Sequence, residues 1–491
     1  MSTFFGLNIS RLGMMAQQKA LEVTSHNIAN ANTPGYSRQV AHMGTTTPLS
    51  YPQGQGMLGS GVLVDEVARV RNSFLDSQIR KENQTLAKWE TRNYFLGQIE
   101  TVFMEPSETG FNKTLSRFFD SWQELSLNPE GSPARAALIE NSNAFVNSVH
   151  HTYEQLKTIR SDMSEQITMK VDEVNTLAEQ IKDLNRQITT LTAKGDTPAD
   201  LLDRRDLLLD DLSEIIEFDT VFTPSGSVNL YLGGRALVYE NTANKLATAP
   251  GGNDEHTGWP LSPKIVWERD DREVKMQNGQ LAGIIETRDV SLKQYMEDFE
   301  SMIWGVVNAV NLTHTQGMDL HGERGGEYFT FTGDHLETLQ VSEDIKKEPS
   351  RIAAALYPDP EPDQVYAAPG DGSNAVNIAQ LRQGKISIDT DPETSLQERV
   401  TLDPEGTTTF EHFYRDNIAR IGVDTQESDR MAQNQASLLA MLGQRKDSIS
   451  GVSLDEEMAN MVQFQLAYQA SARVITTFDD IYDTLINRML R

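Results

Sequence analysis

Apolar positions recur at helical spacing at both ends of the chain and along a long central stretch, and they alternate in between. Phe5, Ile9, Leu12, Ala16, Ala20 and Val23 follow one another at steps of three and four, which predicts an amphipathic helix. The run Asn27-Ile28-Ala29-Asn30-Ala31-Asn32-Thr33-Pro34-Gly35-Tyr36 stops it near Asn30. Asn and Gly favour turn geometry there, and Pro has no backbone N–H to donate. Residues 39–70 read as loop and strand, and 72–104 and 111–127 as helices. Ser132 before Pro133 reads as an N-cap followed by a first-turn proline. From Phe145 the helical period runs through Val149, Tyr153, Leu156, Ile159, Met163, Ile167, Val171 and Val174 to Leu191, with heptad spacing from Leu177 onward. That predicts a rod of roughly 70 Å. Lys194-Gly195 ends it, and Thr197-Pro198-Ala199-Asp200 reads as a capping box opening a short helix over 201–216.

The pattern then changes period. Val228–Leu232, Ala236–Tyr239, Lys264–Trp267 and Val274–Met276 are short alternating runs, punctuated by Pro224-Ser225-Gly226, Gly233-Gly234 and Asn278-Gly279. They predict a small antiparallel β domain inserted into a helical chain. Helix returns over 284–315, and 317–410 is irregular, with weak strand signals at Tyr328–Thr332 and Lys385–Ile388. A helix over 408–448 follows, then a second capping box, Ser453-Leu454-Asp455-Glu456. Beyond it Leu454, Met458, Met461, Tyr468, Ala472, Ile475, Tyr482, Leu485 and Met489 form one helical stripe. Val462, Leu466, Val474, Phe478 and Ile481 widen it. A stripe this wide needs partners on more than one side.

Composition narrows the classes. The 491 residues suggest about three domains. A formal charge of −28 argues against a basic nucleic-acid surface. The absence of Cys removes disulfides, thiolate metal sites and cysteine nucleophiles. No apolar run approaches the 18 or so residues of a transmembrane helix. The first fifteen residues lack the basic-then-apolar plan of a signal peptide. Hydrophobic residues make up only 38%, which points to an elongated chain or one whose segments order on assembly.

Candidate chemistry fails on context. Gly54-Gln55-Gly56-Met57-Leu58-Gly59 has dinucleotide-loop spacing, but no strand precedes it and no helix follows. His314, His321 and Glu323 read as solvated loop residues rather than metal ligands, because no common face is assured. Asp389-Thr390-Asp391-Pro392-Glu393 opens like a calcium loop, yet Thr394 stands where Gly is needed and Val400 where Glu is. Arg204, Arg205, Asp206, Asp210 and Asp211 read as a solvated face with local ion pairs. Neither a catalytic nor a cofactor or metal site is expected.

The ends carry a sharper signal. Ser25 to Arg38, with Asn27-Ile28-Ala29-Asn30-Ala31-Asn32-Thr33-Pro34-Gly35-Tyr36 at its centre, resembles the N-terminal signature of the bacterial flagellar axial proteins. Residues 466–490 resemble their terminal helix. Leu201-Leu202-Asp203-Arg204-Arg205-Asp206-Leu207-Leu208, Asn278-Gly279-Gln280-Leu281-Ala282-Gly283-Ile284 and Ile449-Ser450-Gly451-Val452-Ser453-Leu454-Asp455-Glu456-Glu457 are similar to the hook-associated protein 1 branch of that family. The resemblance is collinear over most of the chain and weakest over 332–410.

The resemblance implies a mainly α, elongated multidomain protein with an inserted antiparallel β domain and its terminal helices paired as a coiled coil. Residues 1–40 and 450–491 would form the inner terminal domain, and 41–217, 284–316 and 376–449 a helical rod domain. Residues 218–283 and 317–375 would form an outer β-rich domain. Type III export and polymerisation through the terminal helices would place it, as a structural protein, between hook and filament. Phe5, Ile9, Leu12, Ala16, Ala20 and Val23 would pack between subunits, as would Leu454, Met458, Met461, Leu466, Tyr468, Val474, Ile475, Phe478, Ile481, Tyr482, Leu485 and Met489. Asn27, Asn30, Asn32, Thr33, Gly35 and Tyr36 would form the turn leaving the inner helix. Implied partners are further copies in a ring-like layer, the hook protein, a second hook-associated junction protein and an export chaperone on the C-terminal helix, with neither nucleic acid nor membrane. The Arg204-centred stretch speaks against a rod or hook protein. A secreted adhesin or protease on a helical stalk is the competing class, and it requires a ligand-binding or catalytic outer domain. The acidic excess is expected on the outer domain, because like charges on neighbouring subunits repel.

Overall fold

A computed structural model of the chain describes residues 5–50, 57–103, 110–251, 263–333, 336–357, 369–389, 391 and 394–484. Leu485, Met489, the start of the Gly54 loop and most of the Asp389–Glu393 run lie outside them.

The apolar periods become helices close to where the spacing puts them. They are α1 (Phe5–Asn30), α2 (Ser73–Val102), α3 (Phe111–Leu127), α4 (Ser132–Thr192) and α5 (Ala199–Ile215). After the β region come α6 (Gln280–Glu286), α7 (Lys293–Thr315), α8 (Glu343–Lys347), α9 (Ser373–Gln380), α10 (Phe410–Ser450) and α11 (Leu454–Asp483). With 61 residues, α4 is about 90 Å long and forms the spine. Along it α2, α3, α6 and α7 pack, and α10 runs antiparallel to α2 with Lys446 near Asp76 and Gln435 donating to the Glu82 carbonyl. One core runs through these helices, dense with rings. Phe118 stacks on Phe145, Trp122 lies 5.1 Å from Tyr328, and Phe111 bridges Phe299 and Tyr414.

Between α1 and α2 the chain makes a long hairpin, β1 (Gln39–Thr45), β2 (Leu49–Ser50), β3 (Met57–Leu58) and β4 (Val62–Arg69). Here β1 pairs with β4 and β2 with β3, and the hairpin lies on α1. The inserted β region holds a four-stranded antiparallel sheet in the order β5 (Asp219–Phe222), β6 (Val228–Leu232), β7 (Arg235–Tyr239), β8 (Thr242–Ala243). A separate pair, β9 (Leu246–Ala249) with β10 (Lys264–Trp267), sits beside it. Two asparagines on α4 hold the strands by imitating a neighbouring strand. The Asn185 amide bonds both the N–H and the carbonyl of Val228, and Asn175 does the same at Leu246.

Several boundaries differ from expectation. The N-cap of α4 is Gly131, so Ser132 is already helical, although Pro133 does sit in the first turn. Thr197 makes no capping box: the N-cap of α5 is Pro198, and Asp200 accepts from the Gln39 side chain instead. At α11 half of the second box forms. Ser453 accepts from the Glu456 N–H, while the Glu456 carboxylate turns to Arg38. Val274–Met276 is not a strand, and a single bridge at Glu273 replaces it. The helix expected over 284–315 starts at Gln280 and passes through a π-helical turn, Thr287–Leu292. The described part of 317–375 pairs short strands of its own, Gly317–Met318 with Ala355–Leu356 and Phe329–Thr330 with Gln340–Val341. It packs on α4, α7 and α9.

His314 is not a solvated loop residue. It closes α7 fully buried, with Nδ1 2.7 Å from the Gly326 carbonyl and Nε2 accepting from the Ala353 N–H. Burial lowers its pKa to about 4, so it is neutral. His321 is exposed and meets Glu348 and Ser350. Arg135, also buried, donates to the carbonyls of Pro129, Pro349 and Ile352, tying this segment to the start of α4.

Candidate functional site

The terminal helices lie side by side and antiparallel. A Cβ on Gly6 would stand 2.4 Å from Phe478, and one on Gly13 3.4 Å from the Ser471 hydroxyl. Farther along, Asn27 donates to Glu457. Position 6 opposite 478, 13 opposite 471 and 27 opposite 457 define one register. Gly6, Gly13, Ala20 and Asn27 are seven apart, so small side chains let the axes approach. In the same register Glu457, Met461, Phe464, Tyr468, Ser471, Ile475, Phe478 and Tyr482 alternate by four and three along the seam of α11. On another side of α1, Leu12 and Ile9 back onto Gly61 of the hairpin.

The stripe expected on α11 therefore divides in two. Met461, Tyr468, Ile475, Phe478 and Tyr482 fall on the seam toward α1 and are half-buried. Leu454, Met458, Val462, Leu466, Val474 and Ile481 are exposed. On α1, Ala16, Ala20 and Val23 are buried, while Phe5, Ile9 and Leu12 are half-buried.

At the base of the pair the Asn-rich turn is a hydrogen-bonded plug. Asn27 is buried, and its amide is fully used. It donates to the Gln39 carbonyl (2.8 Å) and to Glu457 (3.0 Å), and accepts from the Gln39 N–H and the Tyr36 hydroxyl. That saturates a carboxamide. Tyr36 also meets His26, and burial, with Asp200, Asp203 and Glu457 nearby, raises its pKa. Asn30 donates to the His26 carbonyl and accepts from Thr33, while Asn32 is exposed. Gly35 takes φ +77°, and a Cβ there would also press on Leu207 of α5. Arg38 closes the plug from the far end of the sequence: its side chain bonds Glu457 and Glu456, and its N–H bonds the Ser450 carbonyl.

Of the α5 charge cluster expected on a solvated face, Arg204 and Asp211 are exposed and Asp210 half-buried, but Arg205 and Asp206 are buried beneath this plug together with Asp203. Asp203 accepts from the Ser37 N–H and from Arg69, and Asp206 meets Arg69, Arg71 and Arg80 at 2.9, 3.1 and 3.4 Å. Asp76 and Asp210 complete the ring of carboxylates, with Arg71 on Asp76, and Arg80 and Lys446 on Asp210. Burial alone would raise the Asp206 pKa, but Arg71, Arg69 and Arg80 outweigh it and hold it below the usual carboxylate range. Arg205 points the other way, to the Asn185 side chain and the Gly226 carbonyl of the β region, and burial lowers its pKa to about 10. One short helix thus grips the turn, the hairpin, α2 and the β insertion together.

Comparison with known proteins gives this arrangement its context. A family profile described as the flagellar hook-associated protein FlgK helical domain matches residues 96–329. Profiles for the flagella basal body rod protein and for the C-terminal part of the basal body rod FlgEFG proteins match 7–36 and 444–489. Flagellar hook-associated protein 1 of Bacillus subtilis is 31% identical over 99% of this chain and 99% of its own. The chain belongs to the flagellar hook-associated protein 1 family. The Salmonella typhimurium member is 26% identical over 98% of this chain and 99% of its own. A solved structure, described as the flagellar hook junction protein FlgK from Burkholderia pseudomallei, has a TM-score of 0.63 at 16% identity. It covers 76% of this chain and 100% of that one, and shows the shared fold. Family membership makes the chain a structural component of the bacterial flagellum, associated with its hook.

Residues that spacing alone left unnoticed include Glu457, Arg38, Gly6 and Gly13. The heptad of small residues from Gly6 to Asn27 was the available signal for the glycines. Glu457 lies in the stretch that resembles the family. Its burial follows from partners 419 and 430 residues away. Among the described residues no cluster of three or more His, Asp or Glu is arranged to hold a metal ion, and no helix is long and apolar enough to cross a membrane.

Proposed function

We propose that the chain is the structural joint between flagellar hook and filament, working by packing rather than catalysis. Residues 1–40 and 450–491 act as the inner terminal domain, which polymerises as paired coils, and the helical rod domain and β-rich parts stand outside it. The observation that carries this is the exposed apolar row on α11. One chain covers only one side of that helix, so a neighbour must cover the other. Copies side by side form a ring-like layer that presents one edge to the hook protein and the other to a second hook-associated junction protein. The plug around Asn27 and Glu457 sets the angle at which the terminal pair leaves the rod. Before assembly the chain travels through type III export to the exterior, with an export chaperone covering the row on α11. A chain without cysteine suits that passage, since no disulfide can trap it.

Deleting residues 454–491 tests the reading. The shortened chain is expected to be folded and soluble and to be absent from isolated hook-basal bodies. Normal filaments on cells carrying only that chain would overturn the assembly role.

A further inference from the structure

We infer that the free edge of β5 takes up an extended polypeptide segment as a fifth strand of the four-stranded sheet. Strand β5 ends the sheet and has only β6 beside it. The Asn185 carboxamide holds both the N–H and the carbonyl of Val228, so the Phe222–Val228 pair exchanges no ladder bonds. The Phe222 N–H and carbonyl therefore turn away from β6, and two residues back so do those of Thr220. None of these four groups has a partner among the described residues. Across from this edge stands α2. Its Ser77, Arg80, Lys81 and Gln84 face Phe218, Asp219 and Thr220 over a cavity of about 210 Å³, room for about seven waters. Gln84 is only 4% exposed, yet its carboxamide has no partner among the described residues and opens onto the cavity. On α4 the carboxamides of Asn175 and Asn185 close strand edges directly. Gln84 faces the β5 edge without reaching it.

Charge favours a main chain over an anion as the occupant. Arg80 spends Nε and Nη2 on Asp210 and Asp206, so its charge is already met. Lys81 and Asp219, neither of them in an ion pair among the described residues, offset each other at the rim. The slot is thus neutral, and it offers donors and acceptors together: the outward groups of β5 on one wall, the Gln84 carboxamide and the Ser77 hydroxyl on the other. A peptide main chain uses both kinds, whereas a phosphate uses donors alone. Helix α2 stands behind the cavity, so a folded sheet cannot reach Thr220 and the segment enters singly. Val221 and Phe222, 51% and 49% exposed, lie on opposite faces of the strand and match apolar or β-branched side chains across from them. Main-chain bonds hold such a segment, and its alternate side chains select it.

The contact needs no second copy, so it stands apart from the assembly reading and is tested on the full chain in solution. The probe is the peptide acetyl-Ser-Thr-Val-Ile-Thr-Ser-amide, titrated to millimolar concentration and read by amide hydrogen exchange. Exchange at Thr220 and Phe222 is expected to slow about tenfold, while Val221, already bonded to β6, stays unchanged. The same peptide N-methylated throughout is expected to give no slowing. Thr220→Pro removes one outward N–H and leaves the ladder to β6 intact. Gln84→Ala removes a side chain that bonds nothing in the free chain, so the fold survives it. Each variant is expected to bind the peptide severalfold to about tenfold more weakly. No slowing by the probe, equal slowing by the N-methylated peptide, or unchanged affinity in both variants overturns the added strand. Inorganic phosphate at equal ionic strength is expected to leave the peptide bound. Its displacement by phosphate would mark an anion site and overturn the strand as well.

Discussion

Asp206 is the residue on which most of the junction turns. Three arginines, from the hairpin, the link after it and α2, converge on one buried carboxylate, so removing its charge leaves cations facing each other out of water. Breaking one member of such a buried network costs about 3–5 kcal/mol. Asp206→Asn keeps the shape and loses the charge. It is expected to lower the thermal midpoint of the chain and to speed amide exchange in the hairpin and the first turns of α2. The pH dependence has a definite sign. The folded pKa of Asp206 is depressed, so its contribution is complete above the ordinary carboxylate value and is lost as pH falls through the lower folded value. Wild-type stability should fall steeply in that acid range. The fall should be shallower in Asp206→Asn, read by circular dichroism across the titration. Equal profiles would mean the three arginines do not depend on this carboxylate.

Among elements, α7 carries the most revealing exception to its own pattern. Fifteen of its 23 residues are buried, and Glu300 is one of them. Burial raises its pKa to about 7, against a hydrogen bond from Trp304 and with help from Glu297 and Glu337. A carboxyl whose folded pKa lies above its unfolded value stabilises the chain while protonated and loses that advantage as pH rises from about 4.5 to about 7. Glu300→Gln stays neutral throughout. It should match the wild type near pH 4.5 and exceed it at pH 8 by up to about 3 kcal/mol in denaturant unfolding. A constant difference at both pH values would overturn the assignment. The same helix shows how far the apolar period alone can be trusted. The spans of α1, α4, α10 and α11 follow from spacing of three and four, because long helices average over local error. The caps at Ser132 and Thr197 do not follow, because a cap depends on which acceptor reaches which N–H first, and Gln39 claims Asp200 from 161 residues away. Arg205 and Asp206, the buried members of the α5 cluster, looked solvated for the same reason. A helix two turns beyond a rod's end carries no sign of whether a hairpin will fold back over it. The Asn-rich turn was legible as a resemblance and as a helix stop, but its plug required Glu457, 430 residues from Asn27.

Across the whole molecule, charge and burial divide along the same line. The acidic excess was expected on the outer domain, and its two segments, 218–283 and 317–375, carry −2 and −8 of the −28. Residues 1–40 and 450–491 together carry −1, so the remaining −17 lies on the helical segments 41–217, 284–316 and 376–449. At the C-terminal end α11 is also thin in core. One of the 30 residues of α11 is buried, against 21 of the 61 in α4. A 30-residue helix so poorly buried draws little stability from tertiary packing, and isolated helices are marginal in water. The antiparallel pair inside one chain is therefore expected to open far more readily than the rod. In hydrogen exchange on the monomer, residues 5–30 and 454–483 should exchange within the earliest times sampled, while α4 and α7 remain protected. In isolated flagella the same two segments should become protected, because neighbours then cover Leu454, Met458, Val462 and Leu466. Strong protection of both segments in the monomer would mean that the terminal pair is already a closed core. The exposed row would then have to meet its neighbours as a finished surface, with no ordering on assembly.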